Sequence, residues 1–394
     1  MRASSHLYAG PYDETAVRTA AHEALEKLGT NPTLGIVFAT PDYLSFKSDF
    51  LELLRLHAHI PLLVGASGQG LIGIDKESEE KPGFSILLLS MPGVTAKASI
   101  LSPARCDDAE ANASSWHRAT GVKPGQTKAW LTFIDPFSVH IERWMARWNE
   151  AYPGIPTVGG LASNSTAAEE AWVFLDGDTV EGGVAVSLDG PVEVKTLVSQ
   201  GCKPIGEPYT ITSVDQNVLY TLGSQPAYQI LDGAFQALTE SEKERARGHL
   251  FAGLAMSEYV EEFKRGDFLV RSILGADPNT GAVAIAAKPR VGQTLQYQLR
   301  DAEAASADLH YRLEELQTEM ANGPVPFAAL LCTCNGRGTG LFGDVDHDAH
   351  ALDEHFPGMP VAGFFANGEI GPVGGRSYVH GYSVALAIFR EAAE

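Results

Sequence analysis

Apolar and polar positions along the chain recur in one order: an apolar run, a polar turn, an amphipathic stretch, then Pro and a short apolar run ending near Gly. The first copy has its apolar run at 34–39, turns at Pro41-Asp42 and reaches 61–67. The second runs over 129–134, turns at Asp135-Pro136 and reaches 156–163. The third starts at 328–334, turns through Asn335-Gly336-Arg337-Gly338 and reaches 360–367. Each goes on to a further buried run, at 83–88, 183–188 and 381–386. A degraded fourth copy is expected over 249–254, 268–273 and 282–285. Between the runs, Ile141, Trp144, Met145 and Trp148 form one helical stripe, and Phe46, Phe50, Leu53 and Leu54 another. Both read as faces packed on a sheet, and the tryptophans are assigned to the core.

A long helix from about Asp301 to Met320 presents Leu309, Leu313, Leu316 and Met320, with Asp301 placed to cap it. A capping box, Thr239-Glu240-Ser241-Glu242, opens another helix. The stretch 199–206 reads as a junction. The expected fold is α/β: two related domains of duplicated strand-helix-strand-strand units, with mixed sheets covered by helices. Residues 1–30 are set aside as an N-terminal extension, with 31–225 as the first domain and 226–394 as the second.

Composition narrows the function classes. A length of 394 residues with 44% hydrophobic and 20% charged residues is globular, and 40 glycines point to many tight turns. The formal charge of −20, without any basic run, excludes a phosphate-tracking groove and so nucleic acid or an anionic membrane as partners. The N-terminus lacks the apolar core of a signal peptide. Apolar runs such as 86–89 are strand-length, far below the roughly 20 residues that span a bilayer. Four cysteines are too few for a disulfide scaffold. A cytoplasmic location follows as the expectation.

Candidate chemistry gathers in the C-terminal third. The run 336–343 contains G-x-G-x-x-G after an expected strand, the context of a dinucleotide fingerprint. Against that, Asp344, Asp346 and Asp348 follow at once and would compete with phosphate at a helix N-terminus. Other readings are a tight glycine turn, or a site where backbone N–H groups and Arg337 hold a small anion such as a carboxylate. The loop around Asn367, Gly368 and Glu369 offers Glu369 as counter-group for an amine, or is only a turn with a solvated acid. Asn335, Arg337, Gly338, Asn367, Gly368 and Glu369 form the candidate ligand site, at one sheet edge.

Cys332 and Cys334 read as buried thiols, since residues two apart on a strand stand about 7 Å apart, long for a disulfide. An alternative is a thiol-dependent hydrolase or transferase using Cys334 or Cys332 with His380. The series Asp344, Asp346, His347, Asp348, His350 and Asp353 is dense in metal-ligand types but equally a solvated helix face. No nucleophile elbow, phosphate loop or H-E-x-x-H pair occurs. No catalytic residue, metal or cofactor is assigned.

Five segments carry a family resemblance: 156–160 (PTVGG), 201–206 (GCKPIG), 291–294 (VGQT) with 299–302 (LRDA), 334–338 (CNGRG) and 365–372 (FANGEIGP). They resemble the FIST proteins, the F-box and intracellular signal transduction family, over nearly the whole chain, with FIST N and FIST C as the two domains. The resemblance implies a sensory module of bacterial signalling proteins that binds small ligands such as amino acids, and it brings no catalytic residues. The FIST pair leaves no room for an output domain, so output is expected to be indirect: through a protein partner, by buffering a metabolite, or as a structural subunit. A scaffold with no small ligand is the third reading.

Overall fold

The computed structural model describes residues 1–108, 110–164, 171–246, 248–263 and 266–393. The chain divides into two compact units. The first takes Met1–Val198 together with Arg312–Glu394, and the second is Ser199–Tyr311. This spatial division differs from a cut at 225/226, because the second unit is an insertion within the third repeat.

The first unit is built from three copies of one unit of chain. Copy one comprises β1 (Arg2–Ala9), α1 (Glu14–Leu28), β2 (Leu34–Ala39), α2 (Lys47–His57), β3 (Leu63–Ser67), the hairpin β4 (Leu71–Gly73) and β5 (Lys76–Ser78), and β6 (Gly83–Ser90). Residues 1–30 are therefore not an extension: β1 pairs along its length with β6 and α1 packs beside it. Copy two repeats the order with β7 (Thr95–Leu101), α3 (Pro103–Cys106), α4 (Ala113–Thr120), β8 (Ala129–Ile134), α5 (Ile141–Ala151), β9 (Thr157–Leu161), the hairpin β10 (Val173–Leu175) and β11 (Asp178–Val180), and β12 (Gly183–Asp189). Copy three opens with β13 (Val192–Ser199), which the chain leaves for the second unit.

Strands of the second unit are β14 (Lys203–Pro204), β15 (Tyr209–Asp215), β16 (Val218–Leu222), β17 (Gln225–Pro226), β18 (Leu250–Ala255), β19 (Phe268–Asp277), β20 (Ala282–Ile285) and β21 (Thr294–Leu299). Helices α6 (Ala227–Gln236) and α7 (Glu240–Ala246) also belong to it. The pairing β21-β15-β16-β20-β19-β18 returns to β21, so the sheet closes into an antiparallel barrel. Its core includes Ile211, Leu219, Leu222, Val283, Leu295 and Tyr297. The expected fourth copy falls here and is not one. β18 and β19 are antiparallel neighbours, whereas the corresponding strands of the true copies are parallel.

Copy three resumes with α8 (Ala302–Met320), β22 (Ala328–Cys334), α9 (Thr339–Phe342), α10 (His347–His355), β23 (Val361–Ala366), the hairpin β24 (Glu369–Val373) and β25 (Arg376–His380), and β26 (Val384–Glu391). Asp301 caps α8 through the Ala304 N–H at 2.8 Å. Leu309, Leu313, Leu316 and Met320 are buried, and the Thr239–Glu242 capping box forms as expected. The α5 stripe buries Trp144, Met145 and Trp148. On α2 the stripe is Phe50, Leu51 and Leu54, while Phe46 is exposed in the preceding turn.

The three sheets of the first unit run β1-β6-β2-β3-β10-β11, β7-β12-β8-β9-β24-β25 and β13-β26-β22-β23-β4-β5. Each copy thus supplies four strands to its own sheet and lends its hairpin to another, in a cycle. A shared core of Phe38, Phe133, Phe364, Leu131, Leu330 and their neighbours lies among the sheets. Fully buried strands explain the continuous apolar runs in the sequence.

Two devices hold the cycle. Gly65, Gly159 and Gly363 pair with Val37, Thr132 and Leu331, and a Cβ at any of them would fall on that partner's carbonyl oxygen. Gly363→Ala is expected to lower the unfolding free energy by about 3 kcal/mol or more, since backbone must move. Unchanged equilibrium unfolding would refute that. Ser163 ties the three post-strand loops: its N–H donates to Ser67 O (3.0 Å), its hydroxyl to Phe365 O (2.5 Å), and its Oγ accepts from Gln69 N–H (2.8 Å).

Candidate functional site

The cyclic register exposes where copy three departs from the others. Phe38, Phe133 and Cys332 occupy one position of the first parallel strand, each one residue past the glycine-paired residue. In the exchanged hairpins, Val173 pairs with Ala66, Leu71 with Phe364 and Glu369 with Gly160. The third hairpin therefore places a fully buried carboxyl, 0% exposed, where the others carry Leu and Val. A thiol replaces the benzyl groups nearby. Burying a carboxyl in an apolar position costs free energy unless it is used or well satisfied.

Glu369 is partly satisfied. Its Oε2 accepts from the Ser383 N–H (3.1 Å) and hydroxyl (2.6 Å), and Cys334 is a further hydrogen-bonding neighbour. Its Oε1 has no hydrogen-bond partner. Burial outweighs these contacts and pushes its pKa up to about 8.

Arg337 lies on the loop after β22 and is 1% exposed. Its Nε and Nη2 donate to the two oxygens of Asp348, each at 2.8 Å, a fork-to-fork pair. The Thr333 hydroxyl and His347 Nδ1 also bond Asp348. Burial alone would raise the Asp348 pKa, but Arg337 and these hydrogen bonds hold it well below the carboxylate range. Arg337 Nη1 has no partner, nor has the buried Oδ1 of Asn335. Glu369 and Cys334 are within electrostatic reach of the guanidinium.

The hairpin lent by copy one closes the site from the other side. Glu77 Oε1 accepts from the N–H groups of Asp348 and Ala349, each at 3.0 Å, capping α10. Burial, then the Asp348 charge, raise the Glu77 pKa to about 8. Glu79 Oε1 accepts from Thr339 N–H (2.9 Å) and its hydroxyl (2.6 Å) at the start of α9. Gly338 has φ +64°, and a Cβ there would strike the Glu79 carboxylate.

These contacts correct several expectations. Arg337 is not free to hold an anion with its whole guanidinium, because Nε and Nη2 are engaged in a core ion pair with Asp348. The Thr339 N–H, at the start of the glycine loop's helix, is taken by Glu79. A dinucleotide reading loses its basis, since the helix after the glycines is only four residues long. The acid-and-His run is only in part a solvated face: Asp344 and His350 are exposed, whereas Asp348 is buried and Asp346 accepts from Lys76 and the Glu77 N–H. Glu369 is not solvated. Asn367 is exposed, its N–H donating to Leu161 O, and Gly368 O accepts from Leu161 N–H; both serve the turn.

The structure thus joins Arg337, Asn335 and Glu369 at one end of β22 and β24, and adds Asp348, Ser383, Glu77 and Glu79. No local pattern could have found Glu77 or Glu79, which arrive from copy one. Cys106, Cys202, Cys332 and Cys334 are buried and in no disulfide. Burial, reinforced by Glu369, keeps the Cys332 thiol pKa well above its usual value. His380 Nε2 is engaged with Gly371 O at 3.0 Å. No helix among the described residues is long and apolar enough to cross a membrane.

An α/β protein with a polar cluster buried at the ends of its third repeat is the class these features define. The FIST N domain matches residues 33–225 and the FIST C domain residues 227–372. The chain belongs to the FIST family, whose domains point to a sensory role in signal transduction. Two uncharacterized Mycobacterium tuberculosis proteins, MT0656 and Rv0628c, are each 35% identical to it over 377 residues, 95% of both chains. The uncharacterized Mycobacterium bovis protein Mb0898c is 33% identical over 379 residues, again 95% of each. A solved structure of Thermotoga maritima PurL complexed with ATP aligns with 99% of this chain and 71% of its own, at 12% identity. Its TM-score of 0.21 is too low to bear on fold or function.

Proposed function

We propose that this chain senses a small carboxylate-bearing ligand, an α-amino acid being the leading class, at the Arg337–Glu369 cluster, without chemical turnover of it. The observation carrying this reading is that three of the buried polar atoms without partners, Arg337 Nη1, Asn335 Oδ1 and Glu369 Oε1, belong to this one cluster. Leaving a buried polar atom unpaired costs about 1–3 kcal/mol, and such groups in a native protein call for an explanation. A ligand carboxylate on Arg337 Nη1 and an ammonium shared by Glu369 Oε1 and Asn335 Oδ1 would satisfy all three. Asp348 holds the guanidinium rigidly, so Arg337 is pre-organised as a donor rather than spent.

Output would pass to a protein partner, and the location proposed is the cytoplasm. Nucleic acid and membranes stay unsuited to a chain of net charge −20. The test is a thermal-shift screen against amino acids, short carboxylates, nucleotides and divalent metals. Amino acids or carboxylates should raise the melting midpoint, by the equivalent of about 2.7 kcal/mol at a hundredfold excess over Kd. The rise should shrink in Asn335→Ala. A cooperative melt that no compound moves would sink the reading and favour a scaffold.

A further inference from the structure

The turn between β25 and β26 differs from its counterparts in the other two copies. The N–H groups of Thr40, Asp135 and Cys334 donate to the carbonyls of Gly83, Gly182 and Ser383 respectively, which sets those three residues at one point of the repeat. Copies one and two have glycine there. Copy three has a serine, whose N–H and hydroxyl hold Glu369 Oε2 at 3.1 and 2.6 Å. The preceding residue is Pro82, Glu181 or Tyr382, and of these only Tyr382 has a positive φ, +61°. A bulky aromatic residue in the left-handed region is strained, and such strain gathers at ligand clamps and switch segments.

The Tyr382 ring covers one side of the buried cluster. Its Cδ1 and Cε1 lie 2.6 Å from the point a Gly336 Cβ would occupy, and Cys334 Sγ lies 3.8 Å from the same point. Ring and thiol thus flank one spot, beside the half-buried Asn335 and Gly336. Tyr382 is 38% exposed, so its outer side meets solvent. Gly381 before it is exposed, with open space where a side chain would be. The cover over Arg337 from α9 is better pinned: Phe342 stacks on His347 at 3.4 Å and lies 5.1 Å from the guanidinium carbon, while Glu79 holds Thr339. The 381–383 turn is therefore the cover that yields first.

We propose that the 381–383 turn is a gate over the Arg337–Glu369 cluster, with the Tyr382 ring as its leaf and Gly381 as its hinge. The proposal rests on the sensing reading for what enters, a small amino acid or carboxylate, but not for the motion itself. Glu369 and Arg337 are buried, so a molecule of that size reaches them only when a cover moves. Opening takes Tyr382 to an ordinary negative φ, which relieves its strain and lifts the ring from Gly336. The Ser383 N–H belongs to the peptide that follows Tyr382, so the same rotation draws it away from Glu369 Oε2. Opening the path and freeing the carboxyl are then one movement, and a ligand ammonium takes the place that Ser383 leaves.

The test uses Cys334 as a reporter of the motion, with no ligand present. The full chain is alkylated with iodoacetamide at several urea concentrations below the unfolding transition, and the rate at each cysteine is mapped by mass. A local opening exposes little surface, so Cys334 should react faster than the core Cys332 and at a rate independent of urea, while the Cys332 rate climbs with urea. A Cys334 rate that climbs in step with that of Cys332 would mean that the turn opens only with the whole fold, and it would overturn the proposal whatever any variant does. Tyr382→Ala, which lacks the leaf, should speed Cys334 on the order of tenfold and leave Cys332 unchanged. A Cys334 rate equal to the parent's would overturn it as well. Because these readouts need no ligand, a thermal-shift screen that finds none would sink the sensing reading and leave the gate standing, and a failed gate would leave the screen's result intact.

Discussion

Replacing Arg337 with Met should destabilise the protein by about 3–5 kcal/mol, because it strands the Asp348 carboxylate in a dry interior. The pair is fully enclosed, so solvent offers no screening. The double variant Arg337→Met, Asp348→Leu should recover most of that loss, since an apolar pair of similar size is often as stable as a buried ion pair. Ligand response should return in neither. Urea titration of the two singles and the double forms the cycle. If the double is no more stable than Arg337→Met, the ion pair is not the cause, and the role assigned to Asp348 fails.

Stability should fall as pH rises from about 5 to about 8, and Glu369→Gln should remove a large part of that fall. In the unfolded chain Glu369 loses its proton near about 4.3. In the folded chain it keeps the proton until about 8. Between these values the folded state binds more protons, so stability declines with pH and levels off above the folded value. Glutamine is isosteric and never ionises, so at pH 8 the variant should be more stable than the parent, on the order of 1–3 kcal/mol. The two should converge near pH 5. Glu77, also raised to about 8, should contribute a slope of the same sign. Parallel urea midpoints for parent and Glu369→Gln across pH 5–9 would show that Glu369 is not protonated by burial. Asp348 works oppositely: its pKa is depressed, so its contribution is present above the ordinary carboxylate range and lost in acid.

Much of this architecture was readable along the chain, and the reason is local. Apolar runs such as 34–39, 129–134 and 328–334 are buried on both faces, and an amphipathic helix follows each. Periodicity sees both. The hairpin exchange was not readable, because Leu71 or Val173 looks the same whether it joins its own sheet or another. The barrel passed for a decayed repeat because its short apolar strands have the right spacing, and only antiparallel pairing tells them apart. At the site, Arg337, Asn335 and Glu369 stood out by chemistry beside glycines. What that reading lacked was Asp348, whose place next to Asp346 and His347 suggests solvent, although α10 turns it inward. Charge type could be read from the letters, but burial could not.

The lending of hairpins fixes the order in which this molecule can be completed during synthesis. β4 and β5 emerge from the ribosome early, yet their partner β23 is made near the end. Until then copy one has a hairpin with no sheet to join and a second strand, β3, whose open edge awaits β10. Such waiting edges invite pairing with neighbours, and contacts so distant along the chain make folding slow. No copy is a domain that could be cut out whole. Separately expressed pieces divided at 190/191 should instead find one another when mixed, each carrying the strands the other lacks.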